Sequence, residues 1–373
     1  MGTDRQTNEK RAFDSPLPSA LSASIAARLL SRVYSAAVGA RNSAYDSFPS
    51  FSERLDFPVI SVGGIRAGGT GKTPVVQLIA RHLIDHHKCG VAVLSRGYGR
   101  VSKKNVIVKP GEPADWERTG DEPCMLHNNL PESWLGVGAD RSAVARLLSP
   151  LLPERSVFLL DDGFQRRQTR RDLDIVCLSE EVFDDRLIPA GYLREPMSAL
   201  ARADVVLVVG AAERVDRLKE VRDRADEYLS TALKSAKSPP ITAVLLRYPD
   251  CWVNARSGET APRPPMESPA AVTGIARPER FLAVLPRFSV VPSEVYKFPD
   301  HYNFKRNGIA RIHNIYLHGV VTTEKDAVRL LSPAFSGVRD IWYLREGLRF
   351  ADDESGAAAL SRVTGGLDAR VAK

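Results

Sequence analysis

Arg66-Ala67-Gly68-Gly69-Thr70-Gly71-Lys72-Thr73 stands between an apolar run, Pro58 to Gly63, and a helical pattern that begins at Pro74. Glycine-rich backbone at such a junction can turn its N–H groups inward on a polyphosphate, and the helix N-terminus adds positive potential. Lys72 then reaches the terminal phosphates and Thr73 offers a hydroxyl to Mg²⁺. The segment reads as a P-loop, with residues 66–73 as the nucleotide-binding set. Its first position is Arg66, where the general pattern has Gly.

A second signal lies downstream. The run Val157-Phe158-Leu159-Leu160 ends in Asp161-Asp162 and continues as Gly163-Phe164-Gln165. Carboxylates at the tip of a buried strand beside a P-loop can hold Mg²⁺ directly or through water.

Three polar clusters fall where strands should end: Thr119-Gly120-Asp121-Glu122-Pro123, Leu193-Arg194-Glu195-Pro196 and Phe298-Pro299-Asp300-His301-Tyr302. A phosphoryl transferase needs a group to orient or deprotonate its acceptor hydroxyl, and a carboxylate supported by His would serve. Spacing alone leaves Asp121, Glu122, Glu195 and His301 all open for that task. Leu193-Arg194-Glu195 is expected to hold an ion-paired couple. The basic run Arg166 to Arg171 sits just past the Asp161-Asp162 tip, as a solvated loop or a grip on phosphate. No aromatic residue interleaves it, which argues against a nucleic-acid platform.

The elements that must position these residues follow from hydrophobic texture. Runs at 58–63, 91–95, 134–138, 156–160, 173–178 and 204–209 are nearly continuous, as strands buried on both faces should be. Helical stretches separate several of them, so the fold class is α/β: a P-loop NTPase-like parallel sheet with helices on both faces. A charged helical stretch, 211–237, precedes Pro-rich residues 249–269, and a second βα series at 270–274, 319–323 and 341–344 predicts a smaller C-terminal α/β unit. The expected organisation is a flexible leader at 1–18, an amphipathic helix at 19–50, a P-loop domain at 51–248, a linker at 249–269, a C-terminal domain at 270–352 and a fraying tail at 353–373. In the N-terminal helix Leu21, Ile25, Leu29 and Val33 recur every four residues among Arg28, Arg32 and Arg41. That stripe packs on the protein's own core or lies on an anionic bilayer.

Composition narrows the class. A formal charge of +7 on 373 residues is too dilute to argue for nucleic acid, although it favours anionic partners. Cys89, Cys124, Cys177 and Cys251 are widely spaced, which argues against a disulfide framework or a structural metal and fits a reducing compartment. No apolar run of about eighteen residues exists to span a bilayer, and the polar start lacks the layout of a secretion signal.

Taken together the motifs resemble one family. GGTGKTP (68–74), LSRGYGR (94–100), GDEP (120–123), LDDGFQRR (160–167), RDLDIV (171–176), IPAGYLREP (188–196), SALARAD (198–204), GIARPERF (274–281), FPDHYNF (298–304) and TTEKDAVRL (322–330) occur in the order seen in tetraacyldisaccharide 4′-kinases of the lipid A pathway. The resemblance runs from about Ser19 to Leu330. It implies transfer of the γ-phosphate of ATP to the 4′-hydroxyl of tetraacyldisaccharide 1-phosphate, giving lipid IVA at the cytoplasmic face of the bacterial inner membrane, with the protein peripheral there. It also implies Asp121 as base with His301 as partner, Glu122 and Lys72 in the catalytic set, and Thr73, Asp161, Asp162, Gln165 and Glu195 as metal or active-site groups. Under this resemblance the N-terminal helix attaches to the anionic membrane surface, and the unit carrying His301 closes over the one carrying Asp121. The chain departs from the family pattern at Gly64, at Arg66 and at Tyr302, where a second His is frequent. The competing class is a membrane-associated ATPase or GTPase switch of the MinD or metal-chaperone type. Such proteins place Lys before the paired glycines, where this chain has Ala67. A nucleotide-gated membrane adaptor that transfers nothing is a third possibility.

Overall fold

The computed structural model describes residues 25–232, 239–304, 318–331, 337–338 and 340–371. The expected leader at 1–18 and Leu21 lie outside them. In chain order the elements are α1 (Ile25–Ser47), β1 (Val59–Gly63), α2 (Lys72–His87), β2 (Gly90–Ser95), β3 (Val106–Val108), α3 (Trp116–Thr119), α4 (Asp121–Asn129), β4 (Trp134–Val137), α5 (Arg141–Leu148), β5 (Ser156–Asp161), β6 (Leu173–Leu178), β7 (Val205–Ala211) and α6 (Val215–Ala232). They continue with β8 (Ile241–Asn254), β9 (Thr260–Ala261), β10 (Ala270–Thr273), α7 (Pro278–Val284), β11 (Glu294–Lys297), β12 (Val320–Thr323), α8 (Glu324–Leu330), β13 (Ile341–Phe350) and α9 (Asp353–Val371).

The strands form one sheet in the order β11-β10-β12-β13-β8-β7-β6-β1-β5-β2-β4-β3, with β9 against β8. From β8 to β4 every neighbouring pair is parallel, and so are the pairs from β11 to β13. The apolar runs are continuous because alternate side chains serve two cores. Val205, Leu207 and Val209 face the core that includes Val75, Ile79 and Leu83 of α2, whereas Val206 and Val208 face Leu218, Val221, Ala225 and Leu229 of α6.

Two expectations about organisation need correction. Residues 249–254 do not begin a linker, because β8 runs through them and pairs antiparallel with β13, joining the two parallel halves edge to edge. Pro249 looks like a strand end in sequence, but it stands where the β8–β13 register shifts, and an irregular site tolerates a residue without a ladder N–H. Nor does the tail fray as far as Val371. Ala359, Val363 and Leu367 recur every four residues on α9 and are buried in the central core. Each large apolar side chain buried there contributes about 1.5–3 kcal/mol, enough to hold a helix whose small residues alone do not announce it.

Candidate active site

The site collects where the central parallel strands end, the usual ligand-binding edge of such a sheet. The chain leaves β1 at Gly63, crosses the P-loop and enters α2. Gly71 has φ 79°, and a Cβ there would come within 2.6 Å of Val209 Cγ1, so the turn requires glycine. Gly68 and Gly69 by contrast are exposed, and a Cβ at either would meet nothing within 4 Å. Open backbone at the foot of a helix is the cradle a polyphosphate needs. Lys72 folds back over it, with Nζ 3.5 Å from the Gly68 carbonyl, 3.4 Å from Thr70 Oγ1 and 3.5 Å from Asp162 Oδ1. Thr73, half-buried, begins the helix beside it.

Arg66 was expected among the nucleotide contacts, and its side chain is turned elsewhere. The guanidinium is buried, with Nε 2.6 Å from Asp185 Oδ2, and lies 5.0 Å over the Tyr192 ring. The Ala67 N–H donates to the Tyr192 carbonyl at 2.8 Å. These two residues pin the loop to the segment 185–193.

Asp161 ends β5, 6% exposed, and accepts from Ser95 Oγ at 3.0 Å. Burial, then the charges of Glu122 and Asp162, pushes its carboxyl up to about 7 against that hydrogen bond and Lys72. Asp162 adopts φ 52°, a left-handed conformation that costs about 1–3 kcal/mol outside glycine. Burial raises its carboxyl, but Lys72 and Arg194 outweigh this and hold it below the ordinary value. Its Oδ2 receives Arg194 Nη1 at 2.8 Å, while Oδ1 has the 3.5 Å ion pair with Lys72 and no hydrogen bond of good geometry. A buried carboxylate raised toward neutrality and a neighbour whose Oδ1 is held only by a loose ion pair fit a cation bound at this tip. Among the described residues no group of three or more His, Cys, Asp or Glu could hold a metal ion.

Gln165 and Glu195, expected beside the metal, sit in other surroundings. Glu195 is fully buried; its Oε1 accepts from Gln165 Nε2 at 3.0 Å, and its Oε2 accepts from Asn42 Nδ2 at 2.8 Å and from Arg202 Nη2 at 2.9 Å. Gln165 also donates to the Gly64 carbonyl at 2.9 Å. These donors occupy both carboxylate oxygens, so Glu195 anchors α1 to the loop around the site. The expected Arg194–Glu195 couple is replaced by two separate pairs, Arg194 with Asp162 and Glu195 with Arg202.

Asp121 and His301 meet. His301 Nδ1 lies 2.9 Å from Asp121 Oδ2, and Asp121 Oδ1 accepts the Glu122 N–H at 2.9 Å. Gly120 makes the approach possible with φ 95°, since a Cβ there would stand 2.9 Å from the Tyr98 carbonyl. Around the pair, Lys325 Nζ is 4.0 Å and Arg329 Nη1 3.7 Å from Asp121 Oδ2, and Lys325 is 3.2 Å from Glu122 Oε1. Burial raises the Asp121 carboxyl, but the His301 hydrogen bond and the charges of Lys325, His301 and Arg329 outweigh it and hold it below its usual range. The exposed Tyr98 ring stands edge-on to His301 at 5.1 Å. Tyr302 stacks on Phe298 at 4.5 Å in an aromatic cluster with Phe304, so His301 is the imidazole this segment contributes.

Sequence reasoning did not single out Ser95, Lys325 or Arg329. Ser95 carried a signal as the last residue of a strand in the quoted LSRGYGR; Lys325 and Arg329 lie four apart in TTEKDAVRL, a spacing that puts both on one helix face. The basic run 166–171 is largely consumed by structure. Arg166 donates to the Ala139 carbonyl, Arg167 to the Asn42 carbonyl and Asp46, and Arg171 pairs with Asp174 at 2.9 Å.

On α1, Ala27 and Val38 are buried, Ser31 Oγ donates to the Leu187 carbonyl and Tyr34 OH to that of Arg194. The apolar stripe is on the other face, with Ile25 86%, Leu29 61%, Leu30 56% and Val33 63% exposed. Of the two readings of that stripe, packing on the protein's own core is the one the structure rejects. No helix among the described residues is long and apolar enough to cross a membrane.

Comparison with known proteins agrees with the geometry. The Tetraacyldisaccharide-1-P 4′-kinase family, LpxK, matches residues 23–364. A tetraacyldisaccharide 4′-kinase of Chlorobium phaeovibrioides is 34% identical over 320 residues, 83% of this chain and 87% of the relative. That of Aquifex aeolicus is 33% identical over 305 residues, 80% and 88% of the two chains. The crystal structure of "apo" form LpxK from Aquifex aeolicus in complex with ATP superposes with a TM-score of 0.72 and 29% identity, covering 91% of this chain and 97% of that one. With a P-loop, an aspartate pair and an Asp–His couple set into a fold that matches along nearly its whole length, this chain belongs to the tetraacyldisaccharide 4′-kinase family.

Proposed function

We propose that this protein transfers the γ-phosphate of ATP to the 4′-hydroxyl of tetraacyldisaccharide 1-phosphate, forming lipid IVA, as a peripheral enzyme on the cytoplasmic face of the bacterial inner membrane. The observation that carries the reading is the 2.9 Å contact between His301 and Asp121 in a chain that also holds an open P-loop and a paired-aspartate tip. A binding switch needs the loop and the tip, but it has no use for a carboxylate–imidazole couple made between its two halves.

Residues 68–73 cradle the phosphates through backbone N–H groups, and Lys72 follows the terminal phosphate with its ammonium. Thr73, Asp161 and Asp162 are the groups that would hold Mg²⁺, which when bound neutralises phosphate charge; Gln165 and Glu195 are not part of that set. Asp121 takes the 4′-hydroxyl proton on Oδ1, the oxygen turned away from His301, while the His301 Nδ1–H fixes Oδ2. Arg194, tied to Asp162 Oδ2, keeps that side chain aimed at the loop. Phosphoryl transfer asks for alignment and charge neutralisation more than for covalent chemistry, and these contacts supply both.

The exposed stripe of α1 supports membrane association. Leu29, Leu30 and Val33 alternate with exposed Arg28 and Arg32, the layout of a helix lying in an anionic interface. Transfer of labelled γ-phosphate from ATP to tetraacyldisaccharide 1-phosphate in mixed micelles tests the reading. Product is expected with the parent protein. ATP binding without lipid phosphorylation would return the chain to the class of switches or adaptors.

A further inference from the structure

We infer that Lys325 is a positioning residue, whose ammonium donates to His301 Nε2 and thereby holds the imidazole as the neutral tautomer that donates from Nδ1 to Asp121. The consequence for turnover rests on the kinase reading; the hydrogen-bond pattern does not.

Lys325 Nζ lies 3.2 Å from His301 Nε2, 3.2 Å from Asp300 Oδ1 and 3.2 Å from Glu122 Oε1. An ammonium has three protons and no lone pair; it donates to Nε2 and to Asp300 Oδ1, and the Glu122 carboxylate adds its charge at ion-pair distance. Nε2 faces that donor and must present its own lone pair. The ring proton of a neutral imidazole then resides on Nδ1, opposite the Asp121 carboxylate. The other groups facing the ring are Asp300, with Oδ2 3.8 Å from Nε2, and the edge of Tyr98.

The placement of this lysine is locally unfavourable. Thr323 caps α8 by accepting the Asp326 N–H, so Lys325 occupies the first helical turn, where the positive end of the helix disfavours a cation. Its side chain is only 17% exposed. Burial by itself would lower the ammonium's pKa, but Glu122, Asp121 and Asp300 outweigh it and raise it, so the donor stays charged. Three acidic side chains from two halves of the sheet are thus committed to keeping one cation against the imidazole. Without it, Nε2 faces the Asp300 carboxylate and gains a reason to bind the proton that Nδ1 now offers to Asp121.

Labelling the histidine rings with ¹⁵N and assigning residue 301 by its loss in His301→Asn tests this in the whole protein. The parent is expected to show a protonated Nδ1 and an unprotonated Nε2 at neutral pH. Lys325→Met should move the proton to Nε2 or protonate both nitrogens, and lower kcat about tenfold to a hundredfold with the KM for ATP within about threefold. Lys325→Arg, which keeps a charged donor, should restore the parent ring pattern and part of the turnover. A protonated Nε2 in the parent overturns the inference, as does a Lys325→Met protein with the parent ring pattern and turnover within about threefold. If Lys325→Met does not fold, the parent ring pattern and the arginine variant decide. A parent that phosphorylates no lipid defeats the kinase reading, while the ring signals still settle this one.

Discussion

His301 Nδ1 stands 2.9 Å from Asp121 Oδ2, across the antiparallel seam of β8 and β13 that joins the two parallel halves of the sheet. Neither half contains the couple by itself, so the acceptor chemistry depends on the seam that sets their spacing. Asp121→Ala and His301→Ala should each lower kcat by about a hundredfold or more while the KM for ATP moves little, since neither touches the phosphate loop. The double variant should be no worse than the poorer single one, because the two act as a unit. Steady-state kinetics at saturating ATP check this, and turnover within a few fold of the parent in both single variants would remove the pair from the mechanism.

Asp161 makes the opposite trade between stability and function. Its folded pKa, about 7, lies above the unfolded carboxylate value, so the protonated form is favoured on folding. Its contribution is complete below the unfolded value and is lost as pH rises through about 7, so this residue stabilises the nucleotide-free protein least on the alkaline side. Asp161→Asn keeps an acceptor for Ser95 and removes the buried charge. That variant should melt a few degrees above the parent at pH 8, a gain of about 1–4 kcal/mol, with the gap narrowing as pH falls and closing only near the unfolded carboxylate value, about 4, and phosphoryl transfer lost. An equal or lower melting temperature at pH 8 would mean the carboxylate is already compensated.

What the sequence disclosed and what it withheld divide along contact range. Residues 66–73 and 156–162 are local motifs whose geometry follows from neighbours in the chain, so the loop and the aspartate tip could be read directly. The run 205–209 could be called a doubly buried strand because every position is apolar. Pro249 misled because its own neighbourhood says turn, and only a partner strand nearly a hundred residues on makes it part of β8. Arg194 and Glu195 look like a couple because they are adjacent, yet each prefers a partner that tertiary structure brings near, Asp162 and Arg202. Lys325 stayed hidden for the same reason: its three partners come from two distant segments.

Glu195 ties the N-terminal helix to the site. Its carboxylate compensates Arg202, which is stacked 4.5 Å over Phe164, and holds Asn42 of α1. Removing one member of a buried ion pair leaves the other charge uncompensated and costs about 3–5 kcal/mol. Glu195→Ala should therefore lower the melting temperature and quicken proteolytic cutting between α1 and β1, and Glu195→Gln should do so less. Unchanged melting and cutting in Glu195→Ala would show that α1 is held by its other contacts alone.

The two faces of α1 make separable demands, and that separation tests membrane docking. Ser31, Tyr34 and Asn42 bind the body of the protein, whereas Leu29, Leu30 and Val33 face outward, each more than half exposed. Burying one such side chain in a bilayer interface is worth up to about 1.5–3 kcal/mol, so replacing all three by Ser should weaken binding to anionic vesicles by well over tenfold. The melting temperature should stay within about a degree or two of the parent, as surface substitutions away from packed contacts usually leave it. Turnover on substrate dispersed in detergent micelles should fall less than turnover on substrate embedded in vesicles, because only the latter requires the protein to find the bilayer. If co-sedimentation with anionic vesicles is the same for the triple variant and the parent, the stripe does not dock the protein, and its exposure on a helix otherwise well anchored would require a protein partner.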